Sequence, residues 1–176
     1  MTVSSLVSDD FALLPATEQL AALDAREVSS AELVELYLSR ISAHNPSLNA
    51  IVTVDADAAR RAATAADAAR SRGDDLGPLH GLPITVKDSY ETAGMRTVCG
   101  RPDLADYVPT QDAEAVARLR RSGAIIVGKT NMPTGNADVQ ASNPVFGRTN
   151  NPWDRSRTSG GTDLPGRRCP RDAACP

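Results

Sequence analysis

The spacing of apolar residues along the N-terminal third of the chain predicts two helices in succession. The first covers about Thr17–Ala25, and Ser29 with Glu32 three positions later forms a capping box that begins the second. Asn45–Pro46 is expected to end that second helix, because proline disfavours helical backbone in the residue before it. Its apolar side chains lie three or four positions apart and should share one buried face: Leu33, Leu36, Tyr37 and Ile41.

Two further helices are predicted. Asp55–Arg72 is rich in alanine, carries arginine and aspartate on its exposed side, and is closed by Gly73. Asp112 caps the other, which ends in Arg118, Arg120 and Arg121, where the helix dipole favours cations; its apolar positions are Ala113, Val116, Ala117 and Leu119.

Three short β-branched runs predict strands between these helices. They are Asn49–Val54, Ile84–Val86, which ends at Lys87–Asp88 and should be buried, and Ala124–Val127, which Gly128 should end. Because helices and strands alternate, the predicted fold class is α/β. From Asn131 onward the periodicity fades into Asn, Gly, Pro, Ser and Thr, so loops are expected there.

Composition limits the classes of function. The 176 residues fit one domain, and aromatic residues make up only 3%, so a thin aliphatic core is expected. A net charge of −3 without a basic stripe argues against nucleic-acid binding. Without a recognisable leader or membrane-length apolar run, a cytoplasmic protein with no membrane contact is expected. Cys99, Cys169 and Cys175 form neither a disulfide framework nor a zinc pattern, and no metal or organic cofactor is implied.

Lys87 is the first candidate for chemistry. It stands where an apolar strand meets a loop, and on its own this pattern also fits a solvated lysine paired with Asp88. A lysine acts as a base only when neutral, and at its ordinary pKa of about 10.4 only about one in a thousand is neutral near pH 7. A catalytic role for Lys87 would therefore require burial or a nearby cation.

The second candidate is the loop that contains Gly160 and Gly161. Glycines beside hydroxyl residues can present backbone N–H groups to an anion, but the P-loop spacing and a strand directly before the glycines are both missing. A Gly/Ser surface loop is the alternative. A nucleotide-binding α/β domain is disfavoured for the same reason.

Three strings in order resemble the amidase-signature family over about Leu33–Gly161: GPLHGLPITVKD, SGAIIVGKTNMP and NPVFGRTNNPWDRSRTSGG. The resemblance implies that Lys87 is the catalytic base, that a serine in a Gly-Gly-Ser-Ser-Gly-Gly loop relays the proton, and that a later serine attacks the amide carbonyl. It also implies an α/β/α sandwich around a mixed sheet, of which this chain would be the incomplete N-terminal part.

The chain departs from that family pattern at its C-terminal end. Gly160 and Gly161 match the start of the glycine-serine loop and would contact substrate, but Thr162 occupies the position of the bridging serine. The attacking serine of the family falls about two dozen residues further on, beyond Pro176. The chain as written is therefore expected to be inactive, whereas its intact parent would be a hydrolase.

The last residues have a different composition, which divides the chain into residues 1–161, an amidase part, and 162–176, a tail. Thr162–Pro165 can be encoded as ACG GAT CTT CCG, in which another frame reads Gly-Ser-Ser. We therefore expect a frameshift near Gly161, although the match carries an extra glycine. The alternative is a divergent C-terminus.

The implied parent cleaves carbon-nitrogen bonds of a small-molecule carboxamide by a Ser/Ser/Lys mechanism. Two alternatives stay open: a non-catalytic module that binds amides or a partner, and a fragment of the A subunit of a tRNA-dependent amidotransferase. The particular amide and the oligomeric state do not follow from the sequence.

Overall fold

The computed structural model describes residues 9–74 and 76–160. It contains an α/β fold whose helices are α1 (Ala16–Asp24), α2 (Ser30–Leu48), α3 (Ala56–Arg72) and α4 (Glu114–Arg121). The strands are β1 (Ile51–Val54), β2 (Pro83–Lys87), β3 (Ile125–Thr130), β4 (Ser142–Asn143) and β5 (Gly147–Arg148). Short 3-10 helices cover Asp9–Leu13, Pro102–Leu104 and Thr134–Asn136. The α/β class predicted from the alternation of elements is confirmed.

The larger sheet is mixed. Its strand order is β1-β3-β2, and β1 runs antiparallel to β3 with an irregularity between Ile51 and Thr53. The Ile125 amide donates to the Leu82 carbonyl (2.9 Å) and the Asp88 amide donates to the Thr130 carbonyl (3.1 Å). Because both positions increase together along the chain, β2 runs parallel to β3.

The chain forms two compact units, each assembled from separate stretches of sequence. The first contains the described residues up to Ser42 together with Asp55–Ile84 and Arg118–Val127. The second contains Ala43–Val54, Thr85–Ala117 and the described residues from Gly128 onward.

The first unit has an aliphatic core, as the low aromatic content predicts. Alanines at spacings of four and three on α3 form its small-residue face, so the neighbouring elements can approach closely. This cluster consists of Val34, Leu38, Ala59, Ala63, Ala66, Ile125 and Val127. A second cluster joins α1 to the start of α2 through Ala22, Leu23, Val28 and Leu33.

The helix boundaries follow the local signals at most ends. The Ser29 hydroxyl accepts from the Glu32 amide (3.1 Å) and the Glu32 carboxylate accepts from the Ser29 amide (2.9 Å), as the capping box predicts. Asp55 caps α3 by accepting from the Ala58 amide, and Gly73 ends α3 in the left-handed conformation (φ 75°).

The prediction that Asn45–Pro46 ends α2 was wrong, because the helix continues to Leu48. Pro46 lies in the last turn, so its missing N–H removes one helical hydrogen bond near the end, and the Asn49 amide still donates to the Asn45 carbonyl (2.7 Å). The Asn45 side chain then supports the exit of the chain by accepting from the amides of Ala50 (2.9 Å) and Ile51 (2.8 Å).

Gly128 does not end the third strand, since β3 continues to Thr130. Glycine is required there for close packing: a Cβ atom would lie 2.6 Å from the Thr53 carbonyl oxygen of β1. The second strand also differs from expectation, because only Val86 in β2 is buried and Thr85 is exposed.

Residues after Asn131 are mainly loops, as predicted, but they include a hairpin that the sequence pattern did not indicate. β4 pairs antiparallel with β5, joining Asn143 to Gly147. The Asn143 side chain accepts from the amides of Val145 (3.0 Å) and Phe146 (2.8 Å) and donates to Asn131 (2.8 Å). Side-chain amides therefore supply the bonds that a two-residue strand pair lacks.

Candidate active site

Lys87 is the last residue of β2, where the sequence places it, and its side chain is partly buried. Burial lowers the pKa of the Lys87 amine from its ordinary value, while the neighbouring Cys99, once its thiol is ionised, acts in the opposite direction. The direction is the one that a lysine base requires, because it enlarges the neutral fraction near pH 7.

Asp88 lies in the interior and not at the solvated strand end. Its side chain is 1% exposed, and its Oδ2 atom accepts from the amides of Val98 (3.1 Å) and Cys99 (3.0 Å). The carboxylate forms an ion pair with Lys129, whose Nζ atom is 3.7 Å from Oδ1. The alternative in which Lys87 pairs with Asp88 at a solvated strand end is therefore wrong about Asp88, because the Asp88 side chain is buried.

Lys129 is the second buried cation of the site, and the sequence reasoning missed it. Its side chain is 0% exposed, and its Nζ atom donates to the Tyr90 carbonyl and to the Thr97 hydroxyl, both at 2.7 Å. Burial lowers the pKa of the Lys129 amine to about 8, although the Asp88 carboxylate raises it. Burial likewise raises the pKa of Asp88, against the opposing effect of Lys129.

A signal for Lys129 was present in the sequence. The 176 residues contain 17 arginines but only two lysines, and both lysines stand at the end of a β-branched run. Arginine's charge is distributed and always present, whereas a lysine amine can become neutral when it is buried. A lysine at a buried strand end in an arginine-rich chain therefore indicates a site where the pKa of the amine matters.

Accessibility separates the roles of the two lysines. The pKa of Lys129 is lowered to about 8, but its amine is fully enclosed and held by two hydrogen bonds and an ion pair. Lys87 is partly exposed and can be reached from outside. A base must lie within hydrogen-bond distance of the proton that it removes, so Lys87 is the candidate for catalysis.

Cys99 interacts with both Asp88 and Lys87. It is buried and adopts a left-handed backbone (φ 53°), followed by Gly100 (φ 64°). Its amide donates to both the Asp88 carboxylate and the Asp88 carbonyl, the latter at 3.3 Å. Burial and, second, the Asp88 charge raise the pKa of the Cys99 thiol, which is therefore neutral near pH 7.

The structure covers only part of the predicted glycine loop. Gly160 has a left-handed backbone (φ 76°), and among the residues that the structure describes, apart from its chain neighbours, none lies within 4 Å of the position that a Cβ would take. The adjacent chain is anchored by a bridge between Asn150 and Thr158. Gly161 and Thr162 lie outside the described residues, as does the predicted tail at 162–176.

Within residues 9–74 and 76–160, no group of three or more His, Cys, Asp or Glu side chains is arranged to hold a metal ion. No helix in the same part of the chain is long and apolar enough to span a membrane.

Comparison with known proteins identifies relatives of this chain. A family model described as Amidase matches residues 32–162. The A subunit of glutamyl-tRNA(Gln) amidotransferase from Acidothermus cellulolyticus is 44% identical over 84% of this chain and 29% of the relative. The protein of the same name from Aromatoleum aromaticum is 47% identical over 83% of this chain and 30% of the relative. The chain thus spans about 30% of the length of the curated relatives it matches.

Solved structures are also similar to this chain. One, described as an amidase, is 36% identical with a TM-score of 0.74 and matches 84% of this chain and 34% of its own. Another comes from a vestigial protein complex described as revealing the evolutionary origins of an s-triazine catabolic enzyme. It is 31% identical with a TM-score of 0.80 over 84% of this chain and 33% of its own.

Proposed function

Because the chain belongs to the amidase family, we propose that Lys87 is the general base of a site that hydrolyses carboxamides. The observation that carries this proposal is the position of Lys87: partly buried at the end of β2, with its pKa lowered by burial, inside the segment that matches the family model.

The proposed chemistry begins with the neutral Lys87 amine. It would accept a proton through the hydroxyl at the relay position, Thr162, while a serine hydroxyl attacks the amide carbonyl and forms an acyl ester. The amine leaves with a proton, and water then hydrolyses the ester. The attacking serine of the family has no match by motif within the 176 residues, so the proposal for this chain concerns the base and its surroundings.

The test is a chimera in which residues 32–160 replace the matching segment of a full-length amidase. Lys87→Met in this chimera should lower kcat at least about a hundredfold, the usual effect of losing a general base. Thr85→Ser is the control, because Thr85 is exposed on the same strand and should leave kcat unchanged. Unchanged turnover after Lys87→Met would refute the assignment.

The same chimera distinguishes the non-catalytic alternative. A binding module predicts that the folded chimera with Lys87 intact binds a carboxamide but releases no ammonia. Ammonia release that depends on Lys87 supports the hydrolase.

A second candidate has its own support. The curated relatives named as A subunits of glutamyl-tRNA(Gln) amidotransferase are 44% and 47% identical to this chain, above the 36% and 31% of the solved structures. This favours glutamine as the amide and other subunits as partners. Because the relatives' name includes a tRNA, the net charge of the chain does not exclude nucleic acid from such an assembly. A cytoplasmic location stays a prediction from the sequence.

This candidate is tested by placing residues 32–160 in the full-length A subunit of an amidotransferase. Ammonia release from glutamine in the assembled enzyme, without hydrolysis of simple aliphatic amides, would support it. Hydrolysis of simple amides by the isolated chimera would favour the independent amidase.

A further inference from the structure

The buried pair of Asp88 and Lys129 has no part in the proposed reaction steps, yet its hydrogen bonds surround the backbone next to Lys87. The two side chains are 1% and 0% exposed. An ion pair enclosed to this degree contributes little net stability as a rule, since desolvation offsets the attraction between the charges. Its contacts therefore point to a different use.

Asp88 fixes the segment that faces the end of β2. Its carboxylate accepts from two successive amides, those of Val98 and Cys99, at 3.1 and 3.0 Å. Its own amide donates to the Thr130 carbonyl of β3 at 3.1 Å. One residue, directly after Lys87, thus connects β2, β3 and the chain at 98–99.

Lys129 completes the same arrangement from β3. Its amine bonds to the Tyr90 carbonyl, three residues after Lys87, and to the Thr97 hydroxyl, two residues before Cys99. The Thr97 hydroxyl in turn donates to the Met95 carbonyl at 3.1 Å. Both sides of the 90–97 segment are therefore tied to one amine.

The backbone at Cys99 shows why such ties are needed. A left-handed conformation is unfavourable in a residue with a Cβ, so this turn persists only where surrounding contacts hold it. The turn brings the thiol close enough to Lys87 for the two groups to affect each other's pKa. The 97–99 segment beside Lys87 thus depends on hydrogen bonds that Asp88 and Lys129 supply.

We propose that Asp88 and Lys129 are positioning residues for Lys87: they hold the 97–99 segment against the end of β2 and so keep the Lys87 amine partly out of water. This inference rests on the proposed role of Lys87 as the base. Charged and titratable groups interacting in the cluster are Glu91, Cys99 and Arg101, besides Lys87, Asp88 and Lys129.

The experiment measures the titration of Lys87 in the full 176-residue chain. Because the sequence contains two lysines, 13C-labelled lysine gives two side-chain resonances, which the Lys87→Met spectrum assigns. The matched variants are Asp88→Ala and Asp88→Asn. Alanine removes the acceptors for the Val98 and Cys99 amides, whereas asparagine keeps one acceptor oxygen at the same place.

In the unmodified chain the pH at the midpoint of the Lys87 titration should lie below the ordinary pKa of a lysine. Asp88→Ala should move it upward, so that the neutral fraction at pH 8 falls about three- to tenfold, since each pKa unit changes that fraction tenfold. Asp88→Asn should stay close to the unmodified chain. A purely structural role would lower the melting temperature but leave the midpoint of the folded protein unchanged.

Each failure has a distinct meaning. A lowered midpoint that is equal in the unmodified chain and in folded Asp88→Ala overturns the positioning role and leaves the base assignment standing. An ordinary midpoint in the unmodified chain overturns both. If Asp88→Ala does not fold, Thr97→Val decides, because it removes one bond to Lys129 and should shift the midpoint upward by less; no shift there overturns the proposal.

Discussion

Two lysines occupy neighbouring strand ends, and burial lowers the pKa of both amines, with different consequences. Lys129 is enclosed and serves structure, whereas Lys87 remains reachable. Both Asp88 and Lys129 have pKa values displaced towards their neutral forms, which shows that desolvation outweighs their mutual attraction. The charges of the Asp88–Lys129 pair should therefore change at pH values at which both groups of an ordinary salt bridge stay charged.

Lys129 should give the stability of the protein a characteristic pH dependence. Its folded pKa of about 8 lies below the ordinary 10.5, so the unfolded chain binds more protons between these values. The unfolding free energy contributed by Lys129 therefore rises with pH through that window.

Denaturant titrations of the chain and of Lys129→Met should show this effect as a difference. The unfolding free energy of the chain minus that of the variant is expected to increase from about pH 8 to about pH 10. The same substitution is expected to bring the Lys87 pKa closer to its ordinary value, and this changes the difference in the same direction. A difference that stays constant or shrinks would mean that burial does not lower the pKa of Lys129.

At the scale of elements, the start of α2 is capped twice. Ser29 and Glu32 form the local capping box, and the Asp67 carboxylate of α3 accepts from the next two amides, those of Ser30 (2.8 Å) and Ala31 (3.0 Å). A helix begins with four amides that lack helical partners, so the second cap satisfies donors that the first does not reach. It also attaches α3 to α2 within the first unit.

Asp67→Ala should lower the unfolding free energy by about 1–3 kcal/mol, because it leaves two amides at the N-terminus of α2 without their acceptors. Thermal or chemical unfolding followed by circular dichroism measures the change. Asp57→Ala is the control on the same helix, since the Asp57 side chain is 82% exposed and makes only an i,i+3 pair with Arg60. Equal effects of the two substitutions would show that the cap from α3 adds nothing.

At the scale of the whole molecule, the chain carries a single tryptophan. Trp153 is 92% exposed, on the loop after the β4–β5 hairpin. An exposed indole does not change its surroundings when the chain unfolds, unlike the buried tryptophan of most domains. The fluorescence of this protein should therefore be a poor reporter of its folding.

The emission maximum of the folded chain should resemble that of indole in water and should hardly move on unfolding in denaturant. Circular dichroism recorded on the same samples supplies the control, because it follows the helices independently. A maximum displaced to shorter wavelength, which returns to the water value on dilution, would instead show that another copy of the chain covers Trp153.

Much of this protein is determined by local sequence. The boundaries of α3, the capping box of α2 and the position of Lys87 at a strand end all follow from residues that lie within a few positions of one another. The three motif strings likewise point to the family without any geometry, and the family match confirms them. Such features are readable because caps, glycine stops and apolar spacing act over one or two helical turns.

Tertiary structure alone decided the rest. The continuation of β3 through Gly128 depends on the Thr53 carbonyl of a strand more than seventy residues earlier in the chain. The pairing of Asp88 with Lys129, and so the environment of Lys87, depends on β2 and β3 lying side by side. Burial, and the displacement of pKa that it causes, is a property of what surrounds a side chain in space, and residue spacing along the chain does not contain it.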